Sequence, residues 1–459
     1  MPLAARSPLA LAAAAVHGEA MTTEDTPEGP AADTSERSDG LASRRAALDL
    51  VSAALDHRGG LDEAMTRAPF ADLELRDRAL ARMLAMTLLR RLGGIDKLLA
   101  PRLRTPPPAP VMMLLRLGMA QALYMDTPAF AAVDTVVRLA QAEEATRPFK
   151  GLINAVLRGV LRDARPAEDA EALAPGWIYA RWRAAYGAEA AAAMAAAIAL
   201  EPATDVTPRN PADAEALAAE LEADVLPGGS LRVRRKGDVA EWPGFFEGRW
   251  WVQDAAAAIP ARLLHAVPGE AALDLCAAPG GKALQLASTG AAVTALDRSP
   301  ARLRLLSQTL ERTELKAEVV ASQAERWSDA RLFDKVLLDA PCSATGTFRR
   351  HPDVLWGTKP GDIAKLAGVQ ARLLDAAAAR VAPGGRLVYC VCSLEPEEGE
   401  GQAEGFGLRH PEFQLEPIEA GEGGAPAASV DAMGRLRVLP HHLDGGLDGF
   451  FAARWVKVG

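Results

Sequence analysis

Phe333-Asp-Lys-Val-Leu-Leu-Asp-Ala-Pro-Cys-Ser343 is a run of apolar, β-favouring residues that stops at Cys-Ser. A second stretch, Arg386-Leu-Val-Tyr-Cys-Val-Cys-Ser393, follows the same plan. Apolar runs of this length, flanked by Gly-Gly, Asp or Pro, predict buried strands of a parallel sheet. In an open α/β sheet, chemistry collects where strands end at their carboxyl edge. The two stretches therefore put Cys342 and Cys392 at one edge of one sheet. Two thiols there, in a chain with only four cysteines, point to covalent chemistry with one attacking group and one helper. Two core cysteines are the plainer alternative, and the repetition of strand-end Cys-Ser weighs against it.

Upstream, Ala272-Leu-Asp-Leu-Cys276 predicts a strand, Ala277-Ala-Pro-Gly-Gly-Lys282 a loop, and a helix runs on through Ser288. Val293-Thr-Ala-Leu-Asp297 is the next strand and ends in an acid. Strand, glycine turn, helix, strand, acid is the order of a nucleoside-binding Rossmann half, in which the carboxylate takes ribose hydroxyls. The loop lacks G-x-G-x-x-G, so a nicotinamide cofactor is not favoured. A P-loop would need Gly in place of Cys276 and Ser or Thr in place of Ala283. With no phosphate motif, S-adenosylmethionine is the natural nucleoside ligand.

At 459 residues the chain has room for two or three domains, and a hydrophobic fraction of 49% fits a folded soluble protein. No apolar run approaches the ~20 residues of a membrane span. Cys276, Cys342, Cys390 and Cys392 lack metal-ligand spacing, so no metal and a reducing cytoplasm are expected. The formal net charge of −9 is unevenly spread. Residues 1–40 are net −5 and residues 395–422 net −8, which leaves the remainder at +4. Net charge therefore does not exclude a nucleic-acid partner.

Residues 1–40 are rich in Ala, Pro, Thr, Glu and Asp with no period, and predict a disordered tail. Leu9 to Val16 is too short, and too closely followed by acidic residues, to favour a secretory signal; Met21 is a candidate start. Residues 41–165 predict an all-α domain. Leu48, Val51 and Leu55 recur at helical spacing up to Gly59-Gly60, and Leu80, Leu84 and Leu88 do so up to Gly93-Gly94, read as a second stop. Helices follow over 111–124, 131–140 and 149–161. Lys150, Asn154 and Arg158 share one polar face, either an RNA-facing or a merely solvated one. The helix order and Lys150-Gly-Leu-Ile-Asn-Ala-Val-Leu-Arg158 resemble the NusB-like RNA-binding domain.

Residues 166–251 predict a connecting, RNA-recognising module of mixed helices and strands. Its Arg232, Arg234, Arg235 and Lys236 form the densest basic cluster in the chain, a phosphate-tracking patch or a charged edge strand. Residues 252–459 are the catalytic module.

Four motifs together closely resemble the Sun family of RNA cytosine-5 methyltransferases: Asp274-Leu-Cys-Ala-Ala-Pro-Gly-Gly-Lys282, Asp339-Ala-Pro-Cys-Ser-Ala-Thr-Gly346, Arg349-Arg-His-Pro-Asp353 and Tyr389-Cys-Val-Cys-Ser-Leu-Glu-Pro-Glu-Glu398. Val252-Gln-Asp254 and Asp448-Gly-Phe-Phe-Ala-Ala453 fit it too. With the NusB-like front domain, the resemblance narrows to the branch acting on 16S (small-subunit) ribosomal RNA. It implies a helical domain followed by a Rossmann-like class I S-adenosylmethionine-dependent methyltransferase domain. The cofactor would lie against Cys276, Ala277, Ala278, Pro279, Gly280, Gly281, Lys282, Asp297, Gln323 and Asp339. Cys392 would attack C6 of the base, Cys342 would assist release, and Asp339 would hydrogen-bond the base. Arg349, Arg350 and His351, just past the active-site strand, would hold flanking phosphates unless they form a solvated loop. The chain departs from the family at Val391 and Ala283, usually Thr, and at Gln323, usually an acid. A monomer is expected. Transfer to another RNA such as tRNA, a DNA-type reaction with Cys342 as nucleophile, and a non-catalytic RNA-binding scaffold are the alternatives.

Overall fold

The computed structural model describes residues 40–56, 60–163 and 169–459. The disordered-tail and signal readings fall on residues 1–39 and lie outside the described residues. Among the latter, one compact unit comprises the chain up to Leu200 together with His351–Gly357. The other comprises Glu201–Arg350 and Thr358–Gly459. This division differs from a single connecting module over 166–251, whose helical part and strand part fall in different units.

The first unit is helical: α1 (Leu41–Leu55), α2 (Gly60–Ala64), α3 (Leu75–Leu99), α4 (Ala109–Tyr124), α5 (Ala129–Ala142), α6 (Lys150–Arg162) and α7 (Gly176–Ile198). Leu50 and Val51 of α1, Leu84, Leu88, Leu92 and Ile95 of α3, and Leu115 and Leu117 of α4 share one core. Pro106 to Pro108 separate α3 from α4, and Pro108 caps the latter. The expected stop at Gly93-Gly94 is overturned, since α3 runs through both to Leu99. A Cβ on Gly93 would lie 2.0 Å from the Ala172 carbonyl oxygen. Glycine is there for close backbone approach, and that packing overrides its poor helix propensity. α7 is broken at Gly187 (φ 86°), which divides it into two helical segments. The short helix α12 (Asp353–Gly357) belongs to this unit through the chain segment that carries it. Trp356 Nε1 donates to Leu89 O at 3.2 Å, and Asp353 accepts from Leu61 N.

The second unit carries two sheets. The smaller has the order β2-β3-β1-β4 and is antiparallel: β1 (Thr204–Pro208), β2 (Ala223–Val225), β3 (Leu231–Val233), β4 (Trp250–Val252). Helix α8 (Ala214–Leu221) covers it with Leu217 and Leu221. The larger sheet has the order β10-β12-β9-β8-β5-β6-β7, with β11 beside β12. Its strands are β5 (Ala271–Leu275), β6 (Ala292–Asp297), β7 (Glu318–Ala321), β8 (Phe333–Asp339), β9 (Val381–Val391), β10 (Phe413–Leu415), β11 (Leu436–Val438) and β12 (Phe450–Lys457). β5 to β9 run parallel, and β12 closes antiparallel on β9. Val336 and Leu338 pack with Tyr389 and Phe451 on one face, while Leu337 packs with Val388 and Ile259 on the other. Burial on both faces is why these strands read as unbroken apolar runs. Strand order reverses between β5 and β8, so a crevice opens at their carboxyl ends. Cys276 follows the first of these strands and Asp339 ends the second.

Candidate active site

Past β5 the chain must turn sharply into α10 (Gly281–Ser288). Cys276 takes a left-handed conformation (φ 61°) and Gly280 has φ 123°. A Cβ on Gly280 would also lie 2.3 Å from Leu306 Cδ1, so the turn calls for glycine twice over. Asp297, at the end of β6, secures this turn, accepting from Ala278 N at 3.2 Å and from Ser299 N at 2.8 Å. Burial, with the charges of Asp297, Asp339 and Asp274, pushes the Cys276 thiol up. Three carboxylates thus converge on the crevice.

Lys282 Nζ sits 2.7 Å from Asp339 Oδ2 and 5.0 Å from the centroid of the Phe450 ring. Burial works against its charge, but Asp339 outweighs burial and raises it above the usual lysine range. The other oxygen of Asp339 accepts from Cys390 Sγ at 3.5 Å. Asp339 and Cys390 are register partners in β8 and β9. Each strand then runs on briefly to its Cys-Ser, and Cys342 Sγ meets Cys392 Sγ at 3.5 Å. Both thiols are partly accessible. Hydrogen bonding to Cys392, then burial, pushes Cys342 well above the ordinary thiol range.

The family described as 16S rRNA methyltransferase RsmB/F matches residues 261–456, and the NusB family matches residues 41–162. Ribosomal RNA small subunit methyltransferase B of Xanthomonas campestris is 36% identical over 435 residues, covering 91% of this chain and 98% of that one. The Thermus thermophilus protein of the same name is 38% identical over 414 residues, covering 87% and 94%. The chain belongs to the ribosomal RNA small subunit methyltransferase B family. Among solved structures, PH0851 superposes with a TM-score of 0.72 at 25% identity, covering 91% of this chain and 98% of that one. A methyltransferase homolog from Pyrococcus horikoshii gives 0.53 at 26% identity, covering 62% and 95%.

S-adenosylmethionine is the cofactor of the small subunit methyltransferase B family, and the residues present fit it. Both carboxylate oxygens of Asp274 are buried with no hydrogen-bond partner. Burial, then repulsion from Asp339, pushes this carboxyl well above its usual range. An acid left this way at the crevice suits a cationic, hydrogen-bond-donating ligand. Asp274 is not among the residues that the family resemblance implies for the cofactor, yet an acid inside an apolar strand is itself a signal, a residue type almost never fully buried unless paired. Gln323, just beyond β7, has an exposed side chain.

The basic residues divide. Arg349 is buried, donating to Gly445 O at 2.7 Å. Arg350 Nη2 lies 2.7 Å from Asp254 and 3.8 Å from Asp205, and its Nε is 3.4 Å from Asp448. His351 Nδ1 lies 3.7 Å from Asp62 in the helical unit. Arg349 and Arg350 are committed to protein carbonyls and carboxylates, which corrects the phosphate-holding reading for that pair, and His351 is buried. Arg232 is likewise buried, bidentate on Asp205 at 2.8 and 2.9 Å. Arg234, Arg235 and Lys236 do reach the surface, although Arg234 pairs with Asp224 and Arg235 with Glu222. Lys150 and Arg158 are exposed on α6, Lys150 donating to Gln141 at 2.8 Å. No helix among the described residues is long and apolar enough to cross a membrane.

Proposed function

We propose that the chain transfers a methyl group from S-adenosylmethionine to C5 of a cytosine in 16S ribosomal RNA, through a covalent bond between Cys392 Sγ and C6 of the base. The observation that carries this reading is the pair of strand-end thiols 3.5 Å apart beside the Asp339–Lys282 ion pair. C5 of cytosine is a poor nucleophile. Addition of a thiolate at C6 makes C5 enamine-like, after which the C5 proton must leave and the C6–S bond must break. One nucleophile and one base are needed.

The two sulfurs are not equivalent. Its hydrogen bond to Cys392, then burial, pushes Cys342 up, so Cys342 starts the reaction as a thiol, and Cys392 is assigned the attack. Once Cys392 is bonded to C6, that hydrogen bond and the neighbouring negative charge are gone. Cys342 then gives up its own proton to solvent more readily, and the resulting thiolate takes the C5 proton as the C5–C6 double bond re-forms and the C6–S bond breaks. Asp339 hydrogen-bonds the base and stabilises its protonated form. Cys276 to Lys282, Asp297 and Asp339 hold the cofactor, with Gln323 on the adenine side. When bound, S-adenosylmethionine supplies the methyl group. The target base has to leave its stack, which looped or single-stranded RNA permits. Lys150, Arg158, Arg234, Arg235 and Lys236 track its backbone. The working state is a cytoplasmic monomer, since two apposed thiols need a reducing compartment.

The test is product analysis with methyl-labelled cofactor and small-subunit ribosomal RNA, naked or assembled, digested to nucleosides. The label is expected in 5-methylcytidine. Label in another nucleoside, label only on transfer RNA, or no transfer at all would each overturn the assignment. Asp297→Ala is expected to weaken cofactor binding by ~1–3 kcal/mol, the scale of a hydrogen bond to a charged group. Calorimetric titration reads this, with Asp297→Asn as the control that can still accept from Ala278 N. Equal affinity in wild type and Asp297→Ala would mean that the ribose is held elsewhere.

A further inference from the structure

Each candidate thiol is followed by a serine, and the proposed chemistry gives those serines no role. Both reach the same buried side chain. Ser343 donates to the Glu398 carboxylate through its backbone N, at 2.9 Å to Oε1, and through its hydroxyl. Ser393 Oγ donates to Oε2 at 2.6 Å, and the two hydroxyls lie 3.1 Å apart. Gln370 Nε2, on helix α13 (Pro360–Ala378), donates to Oε1 and to Pro341 O, both at 3.0 Å. Tyr389 of β9 donates its hydroxyl to the Glu398 carbonyl at 2.6 Å. One carboxylate therefore ties the end of β8 to the end of β9, one residue away from each thiol.

Glu398 is fully buried, and the hydrogen bonds to its carboxylate come from neutral groups. Such a group is costly for stability, and packing alone would be served by an apolar side chain. A carboxylate accepts on both oxygens, whereas a glutamine would turn donor hydrogens towards one of its present donors. Glu398 is thus the side-chain type that can draw both serines in at once.

We infer that Glu398 is a positioning residue that sets the separation of Cys342 and Cys392 through Ser343 and Ser393, an inference resting on the two-thiol reading above. Spacing of reacting groups matters steeply, since a displacement of about 1 Å can cost about 100-fold in rate.

The test uses full-length protein carrying Glu398→Ala or Glu398→Gln. Diamide oxidises two apposed thiols to a disulfide, its azo bond taking up both protons and both electrons as the hydrazine. The rate of Cys342–Cys392 cross-linking, mapped by mass spectrometry, is therefore a ruler independent of methyl transfer. Wild type is expected to cross-link readily. Glu398→Ala is expected to slow cross-linking at least about tenfold and kcat about 100-fold, with KM for S-adenosylmethionine unchanged and Glu398→Gln intermediate. If Glu398→Ala does not fold, Ser343→Ala and Ser393→Ala each remove one arm and carry the same expectation in smaller measure. Wild-type cross-linking in folded Glu398→Ala, or in both serine variants, overturns the inference whatever kcat does. Full activity of Cys392→Ala would instead sink the two-thiol reading, and the cross-linking ruler would still report on Glu398.

Discussion

Cys342→Ala is expected to turn the enzyme into a trap. With Cys392 intact, attack and methyl transfer proceed, but the C5 proton has no acceptor and the base stays bonded to the protein. The adduct should survive denaturing electrophoresis, carry the methyl label and require S-adenosylmethionine. Cys392→Ala should give no adduct and lose activity by about 10⁴-fold or more, the scale of losing a covalent nucleophile. The double variant should give neither product nor adduct. The geometry makes the contrast sharp, because the two sulfurs are only 3.5 Å apart and yet the mechanism assigns them opposite outcomes. A DNA-type mechanism predicts the reverse, with the adduct on Cys342. Two core cysteines predict two active single variants. An adduct that persists in Cys392→Ala and vanishes in Cys342→Ala would falsify the assignment.

Arg350→Ala should be the most destabilising single change outside the hydrophobic cores. Its guanidinium lies within 4 Å of Asp205, Asp254 and Asp448, whose side chains are at most 4% exposed. Removing the cation leaves buried carboxylates uncompensated, at a cost of about 3–5 kcal/mol. Chemical unfolding measures this, and a loss below about 1 kcal/mol would show that water or Arg232 and Arg349 suffice. The effect has a pH signature. Burial, with repulsion from Asp254, pushes Asp448 up to about 7. Asp254 is held below its usual range, because Arg350 and Arg349 outweigh its burial. For Asp448 the folded state binds more protons than the unfolded state between about pH 4 and 7. Its contribution is therefore present at acid pH and lost as pH rises through about 7. Without Arg350 the carboxylates favour protonation further, so the variant's deficit should shrink towards pH 5 and widen towards pH 8.

The catalytic sheet was legible because its strands are buried on both faces and carry their chemistry at their ends. Val336, Leu337 and Leu338 report burial, and Asp339, Cys342 and Cys392 report the edge. Local spacing is enough for both inferences. It is not enough for Arg349 and Arg350, since an Arg pair reads alike whether it meets phosphate or carboxylate. Asp254 and Asp448 lie 96 and 98 residues from Arg350 along the chain, and only folding shows that they meet. The same holds for Gly93, where the approaching carbonyl of Ala172 is out of sight in the sequence. Glu398 was hidden differently. It closes the Tyr389–Glu398 motif within an acidic run whose charge suggests solvent, whereas Glu395 and Glu398 are both fully buried.

The membership of His351–Gly357 in the helical unit has a consequence for the order of events during synthesis. Helices α1 to α7 leave the ribosome first, yet the partners of Leu89 O and Leu61 N, supplied by Trp356 and Asp353, are encoded about 150 residues after Leu200. At ~5–20 residues per second, translation delivers that segment about 8–30 s later. Until then the nascent helical unit has an unfilled slot where Trp356 belongs, and β1 to β8 emerge in the meantime. Completion of the amino-terminal half thus waits on a piece of the carboxyl-terminal half. Pulsed proteolysis of stalled nascent chains should find the helices more easily cut when synthesis stops before Trp356 than when it stops well beyond Gly357.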